Sequence, residues 1–375
     1  MTLIVALPEL PFLTPARNPA FAGVRVKAQP EDFIVEELAL YEPCGEGSHT
    51  YFWIEKRGLN THDAARKLAQ ALSKRAPDAG IAGLKDAQAV TRQWISFEHV
   101  APGQLAALDL SPGARVLKTS RHGNKLRMGH LRGNRFELRL RLAEASAPVG
   151  ELAQAARGVF DELTRRGIPN YYGPQRFGRD GRNPALGKLL VQGNEEAFRA
   201  ALPEVGISPG KVRDGKLRNL LVNAYQAELF NRVLARRMPD LGTLQTGDLA
   251  CLARNGAVFL VEDAAKEQPR CDSFEVSPSG PLYGPKMRAA EGAPGALEQA
   301  VLAESGVSAA DFGRAEAERQ PGARRPLRIV FLEPPSVQEE ADAVVVRFAL
   351  PSGAYATVVL RELLGDAPLG ALPEG

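Results

Sequence analysis

The chain's 375 residues are 44% hydrophobic and 24% charged, enough apolar material for one large or two ordinary domains and too much for a disordered chain. A net charge of +3 is modest, so only its distribution along the chain can point to a partner. Cys44, Cys251 and Cys271 form no CxxC pair, the histidines form no HExxH or HxxxH pair, and neither GxxxxGK[ST] nor a strand-embedded GxGxxG occurs; no disulfide framework, metal or cofactor is therefore expected.

The opening Met1-Thr-Leu-Ile-Val-Ala-Leu7 lacks the basic flank and length of a signal peptide. No apolar run approaches the ~18 residues of a membrane span, and three scattered thiols suit a reducing compartment, so a cytoplasmic protein is expected. Residues 21–56 read as strands. Val24 and Val26 alternate with charged neighbours, Pro30-Glu-Asp-Phe33 turns into a strand, and Tyr51-Phe-Trp-Ile54 follows the same habit. Asn60-Thr61 begins a helix, with Ala64, Ala65, Leu68 and Leu72 at helical spacing and Pro77 as its stop.

Directly afterwards the chain reads Ile81-Ala-Gly-Leu-Lys85-Asp86, then a strand in which Val90, Arg92 and Trp94 alternate with Thr91, Gln93 and Ile95. This sets one carboxylate at the mouth of a turn backed by a stiff strand, the usual setting of a catalytic group. A solvated Lys-Asp turn pair would read the same way.

Residues 115–141 hold nine cations, Arg115, Lys118, Arg121, Lys125, Arg127, Arg132, Arg135, Arg139 and Arg141, against the single acid Glu137. Such a run repels itself unless an anion binds, and a polyphosphate backbone is the usual anion; a soluble basic face is the plainer alternative. Within it, Asn134, Phe136, Leu138, Leu140 and Leu142 share one face of a period-two strand and the charged residues take the other. An amide beside an aromatic ring can hydrogen-bond and stack on a nucleobase, although a strand-end Asn also serves as a turn residue.

A helix follows, with Leu152, Ala156, Val159, Phe160 and Leu163 as its buried stripe and Gly167-Ile-Pro169 as its end. Residues 170–183, rich in Gly, Arg and aromatics, read either as an RNA clamp or as a connector. Lys211, Arg213, Lys216 and Arg218 lead into a long helix with the stripe Leu220, Ala224, Ala227, Phe230 and Leu234, closed by Pro239. Residues 240–325 are rich in Gly, Pro and Ala, and Ser277-Pro-Ser-Gly-Pro-Leu-Tyr-Gly-Pro285 is expected to be an extended loop. At the end, Ala343–Leu350 and Tyr355–Leu360 read as two strands around Pro351-Ser-Gly353, rejoining a sheet begun by the N-terminal half.

Seven blocks in register carry a resemblance. They are Lys27-x-x-Pro-Glu-Asp-Phe33, Gly45-Glu-Gly47-x-His49, Asn60-Thr61, Ala82-Gly-x-Lys85-Asp86-x-x-Ala-Val-Thr91-x-Gln93, Gly133-Asn134-x-Phe136, Pro169-Asn-Tyr-Tyr-Gly-x-Gln-Arg176-Phe-Gly178 and Leu350-Pro-x-Gly-x-Tyr355-Ala-Thr357. From about residue 25 to 365 the chain resembles the TruD family of pseudouridine synthases, which modify uridine 13 of tRNA. The resemblance implies an α+β fold, a mixed sheet with flanking helices in residues 1–166 and 332–375, with a second α/β domain inserted at 167–331. It places Asp86 on the catalytic aspartate and Lys27 on its basic partner. Phe33, Asn134 and Tyr355 fall on substrate-contacting positions, and Phe136 on the ring against the target base; the family usually has Phe where this chain has Tyr355.

The RNA-backbone candidates are Lys85, Arg121, Lys125, Arg127, Arg132 and Arg176, with Lys85 alternatively a supporting residue. The reaction breaks N1–C1′ and joins C5 to C1′ without redox or phosphoryl transfer, so a carboxylate suffices. It acts as nucleophile, or it removes a sugar proton toward a glycal. The target base must leave its stack to reach such a site. tRNA is the expected partner, with no protein partner and a monomeric chain. Two competing readings are a non-catalytic RNA-binding or chaperone protein, in which Asp86 is incidental, and a nucleic-acid hydrolase, for which no paired carboxylate or metal cluster is at hand.

Overall fold

A computed structural model describes residues 10–14, 18–87, 89–101, 104–105, 108–142, 147–178, 181–208, 210, 214–313 and 320–365. The chain divides into two compact units. One comprises Ala16–Asp161, Phe331–Ala356 and Leu363–Gly375; the other comprises Met1–Pro15, Glu162–Val330 and Thr357–Glu362. The change-overs thus fall at 161/162 and 330/331, and two short terminal pieces group with the middle of the chain. Those pieces are tied together chemically, because the Glu362 carboxylate accepts the main-chain N–H groups of Leu13 and Thr14.

The first unit is organised by an eight-stranded sheet. Its strands are β1 (Phe33–Ala39), β2 (His49–Arg57), β3 (Gly80–Ile81), β4 (Val90–Glu98), β5 (Ala114–His122) and β6 (Leu131–Arg141), joined by Glu333–Glu339 and Ala343–Pro351. Across the sheet the order is Glu333–Glu339, Ala343–Pro351, β6, β1, β4, β2, β5, with β3 on β4. The β1–β4 pairing is parallel and the others are antiparallel, so the sheet is mixed. In β6 the alternation holds: Phe136, Leu138 and Leu140 are buried while Glu137 and Arg139 between them keep solvent contact. Helix α1 (Thr61–Ala71) starts where Asn60 Oδ1 caps the Asp63 N–H. Its Ala64, Ala65 and Leu68 pack on Phe52, Ile54, Ile95 and Phe97 of the sheet. Helix α2 is Val149–Arg166, and its Phe160 ring lies 5.9 Å from that of Phe348.

The second unit is built around the helix Gly215–Arg237, buried on nearly every side between Leu221 and Leu234, polar Gln226, Glu228 and Asn231 included. Lys211 and Arg213, read as its approach, lie outside the described residues. Leu220 is exposed and Leu221 takes its place in the stripe. A four-stranded sheet runs in the order Ala323–Pro326, Val276–Leu282, Leu249–Leu252, Val258–Leu260, with helices at Asn183–Val191, Ala264–Asp272 and Gly292–Glu304.

Three local expectations are corrected. The Pro-rich stretch read as an extended loop is largely the strand Val276–Leu282. It pairs with one neighbour through residues 276–278 and with another through 279–282, so each proline, which has no N–H to donate, faces a partner strand on one side only. The segment after Tyr355 is the helix Ala356–Leu364; Ala356, Val359, Leu360 and Leu363 are buried at helical spacing. Around residue 25 there is only a single bridge, Arg25 to Arg141. Among the described residues no helix is long and apolar enough to cross a membrane.

Candidate active site

Strand β4 lies between β1 and β2, and the loop that enters it carries Asp86, whose side chain is exposed. The loop beneath that carboxylate is pinned group by group. Gln93 Nε2 donates to the Gly83 carbonyl at 3.1 Å. The buried Thr61 hydroxyl donates to Gln93 Oε1 at 2.9 Å and accepts the Lys85 N–H at 2.8 Å. Lys56, fully buried in β2, sends its ammonium to three carbonyls, those of Leu59 at 2.6 Å, Asp86 at 2.8 Å and Lys85 at 3.2 Å. The Asn60-Thr61 and Gln93 blocks of the sequence are thus parts of one support.

Lys85 is not a surface cation. Its side chain is buried and its ammonium pairs with the buried Glu37 carboxylate at 3.1 Å, while Glu37 also accepts the Trp94 N–H at 3.3 Å. Burial pushes the Glu37 carboxyl above the usual range and the Lys85 charge pulls it back. The phosphate-contact reading of Lys85 is therefore corrected to a structural one. Adjacent residues divide the work, Lys85 turning inward and Asp86 outward.

Lys27 has a left-handed backbone, φ 58°, and its ammonium sits 3.8 Å from the centre of the Phe33 ring. Burial lowers its pKa and the Asp86 charge pushes back up, so the two groups feel each other. Burial also pulls the Lys56 ammonium down to about 8, again opposed by Asp86. Phe33 and Phe136 are both buried, 6.2 Å apart, and Phe136 stacks on Phe348 at 5.4 Å. Asn134, two residues before Phe136, has a buried Oδ1 with no hydrogen-bond partner among the described residues. Gly133 is required by close approach, since a Cβ there would stand 2.1 Å from the Leu350 carbonyl oxygen. Tyr355 is half-buried in the turn before the helix Ala356–Leu364.

The basic stretch resolves into two groups. Arg115 pairs with Glu55 at 2.6 Å, Arg135 with Glu36 and Glu333 at 2.6 Å, Arg139 with Glu340 at 2.9 Å, and Arg141 with Asp32 at 2.8 Å. Part of the expected anion is therefore the protein's own carboxylates. Lys118, Arg121, Lys125, Arg127 and Arg132 pair with no carboxylate among the described residues; Arg127 and Arg132 are exposed, and Arg121 bonds the carbonyls of Gly47 and Val100. In the 170–183 segment Tyr171, Tyr172 and Phe177 are buried. Arg176 lies 5.6 Å from the Tyr172 ring centre.

Sequence reasoning missed the roles of Lys56 and Glu37. A signal for Lys56 was present, because it continues the core face of Phe52 and Ile54 in β2, where an apolar residue is the norm.

The description of the tRNA pseudouridine synthase D (TruD) family matches residues 17–205 and 211–363, and the chain belongs to that family. A relative named tRNA pseudouridine synthase D from Anaeromyxobacter dehalogenans (strain 2CP-C) is 46% identical, covering 96% of this chain and 98% of its own. One of the same name from Geobacter sulfurreducens is 41% identical, over 95% and 97% respectively. The crystal structure of a Methanosarcina mazei chain assigned to the same synthase shares the fold, with a TM-score of 0.77, 24% identity and 96% coverage of both chains.

The buried pair beneath the loop carries a stability prediction. Lys85→Met, which strands the Glu37 carboxylate, is expected to lower the unfolding free energy by about 3–5 kcal/mol. Lys85→Met combined with Glu37→Leu should recover most of it. Urea melts of the three proteins check this.

Proposed function

We propose that the chain isomerises a uridine of tRNA, that at position 13, to pseudouridine, with Asp86 as the catalytic carboxylate. The observation that carries this reading is the exposed Asp86 side chain on a loop otherwise tied down, its charge felt by Lys27, whose ammonium lies over the Phe33 ring. A flipped-out uridine brings C1′ to Asp86. In the nucleophilic route the carboxylate oxygen bonds C1′ as the N1–C1′ bond breaks, and the electron pair leaves with the uracil. The uracil turns, C5 attacks C1′, the Asp86 oxygen departs, and the C5 proton passes to solvent while N1 regains one.

Lys27 holds the carboxylate by its charge. Asn134 Oδ1 accepts an N–H of the base edge, removing the penalty of an unpaired buried acceptor, about 1–3 kcal/mol. Phe33, Phe136 and Tyr355 bound the base laterally. Lys125, Arg127 and Arg132, with Arg121, meet phosphates without reading sequence.

Three outcomes are expected. With tRNA labelled with tritium at C5 of its uridines, the wild type releases tritium and Asp86→Asn does not, while both bind tRNA equally; no release by the wild type from any tRNA would leave only an RNA-binding protein, and a fully active Asp86→Asn would take the catalytic role from Asp86. Affinity should fall steeply with salt, and Lys125→Gln, Arg127→Gln and Arg132→Gln should each flatten the log–log slope by about 1. Arg135→Gln, whose charge is already paired, should leave that slope alone. The pH response follows from the two lysines facing Asp86. Each keeps its charge below its lowered pKa and loses it as pH rises, so the single-turnover rate should decline as pH passes about 8, the Lys56 value. A rate unchanged well above that pH would show that neither ammonium contributes.

A further inference from the structure

We infer that Lys56 is a positioning residue of the reaction: its ammonium, bonded to the carbonyls of Leu59, Lys85 and Asp86, sets the place from which the Asp86 carboxylate projects. This rests on the reading of Asp86 as the catalytic group. The case begins with what Lys56 lacks. Its side chain is fully buried, and among the described residues its ammonium bonds no carboxylate, only main-chain oxygens. A buried charge without a counter-ion is costly to fold around, and Met would fill the same space against Phe52 and Ile54 without that cost.

The geometry accounts for its presence. An ammonium has three N–H groups, and here they meet three carbonyls drawn from two segments, the turn before α1 and the loop bearing Asp86. Thr61 and Gln93 hold the Lys85 N–H and the Gly83 carbonyl, so among the described residues it is Lys56 that holds the Asp86 main chain itself, at its carbonyl. Its positive charge also acts on the Asp86 carboxylate directly. Lys56 touches no reacting atom in this scheme. It acts through Asp86.

The test compares wild type, Lys56→Met, Lys56→Gln and Asp86→Asn, measuring near-UV circular dichroism, tRNA affinity and single-turnover tritium release. Lys56→Met is expected to keep its fold and its tRNA Kd while the rate at saturating tRNA falls about 100-fold, the size of effect that a displacement near 1 Å produces. Lys56→Gln, which keeps two donors, should fall less. A loss confined to kcat, with KM unchanged, is what a positioning role requires and a general loosening of the domain does not. A folded Lys56→Met with the wild-type rate, beside an inert Asp86→Asn, would overturn this inference alone. An active Asp86→Asn would overturn the catalytic reading and this inference with it. Unfolding of both Lys56 variants would assign the residue to stability and overturn the inference.

Discussion

The site depends on two lysines that point away from solvent. Lys85 reaches the Glu37 carboxylate under the sheet and Lys56 reaches the loop carbonyls from β2. Between them they take the main chain around residue 86 out of play as a flexible loop. What remains outside is the Asp86 carboxylate. A carboxylate at the tip of a mobile turn would have to be brought into position at each encounter; one on a pinned turn is in position beforehand, and that preorganisation is where an enzyme without a cofactor finds much of its rate. The mixed sheet serves this arrangement, since β4 joins β1 and β2 and so delivers Glu37, Lys56 and Gln93 to one place.

The same economy of charge governs the basic stretch. Nine cations against one acid along the sequence could not be folded side by side without relief. The fold sends Glu36, Glu55, Asp32, Glu333 and Glu340 from other parts of the same unit to four of them. The more exposed of these pairs, such as Arg135–Glu333, add little stability individually. Their effect is on the field: they quench one part of the sheet and leave Lys125, Arg127 and Arg132, the cations proposed to meet phosphates, without a carboxylate among the described residues.

How much of this could be read from the sequence differs by element. The alternation of β6 and the capped start of α1 are legible because each is a local signal repeated over several residues, and Asp86 stood out because a turn and a strand frame it. The helix after Tyr355 was mistaken for a strand because its Val and Leu residues favour either state, and tertiary burial decided between them. Val276–Leu282 was missed because its prolines argue against a strand unless the partner changes halfway along, which no local pattern reveals. Lys85 reads in sequence as either a supporting residue or a phosphate contact for a related reason: Glu37 lies 48 residues away, and a pairing over that distance leaves no trace in spacing.

Lys56 shows what a functional position costs the fold. Burial brings its pKa from 10.5 to about 8, so below that pH the folded and unfolded chains are both protonated and the desolvation penalty is fully present. Between about 8 and 10.5 the folded chain sheds a proton that the unfolded chain keeps, and by linkage this group's contribution to stability improves as pH rises. The charge that supports Asp86 is lost over the same interval. Stability and the proposed catalytic arrangement therefore respond to the proton on Lys56 with opposite signs. A residue retained for the core alone would show no such conflict, and its presence at an otherwise apolar position of β2 is the mark of a site that trades stability for placement.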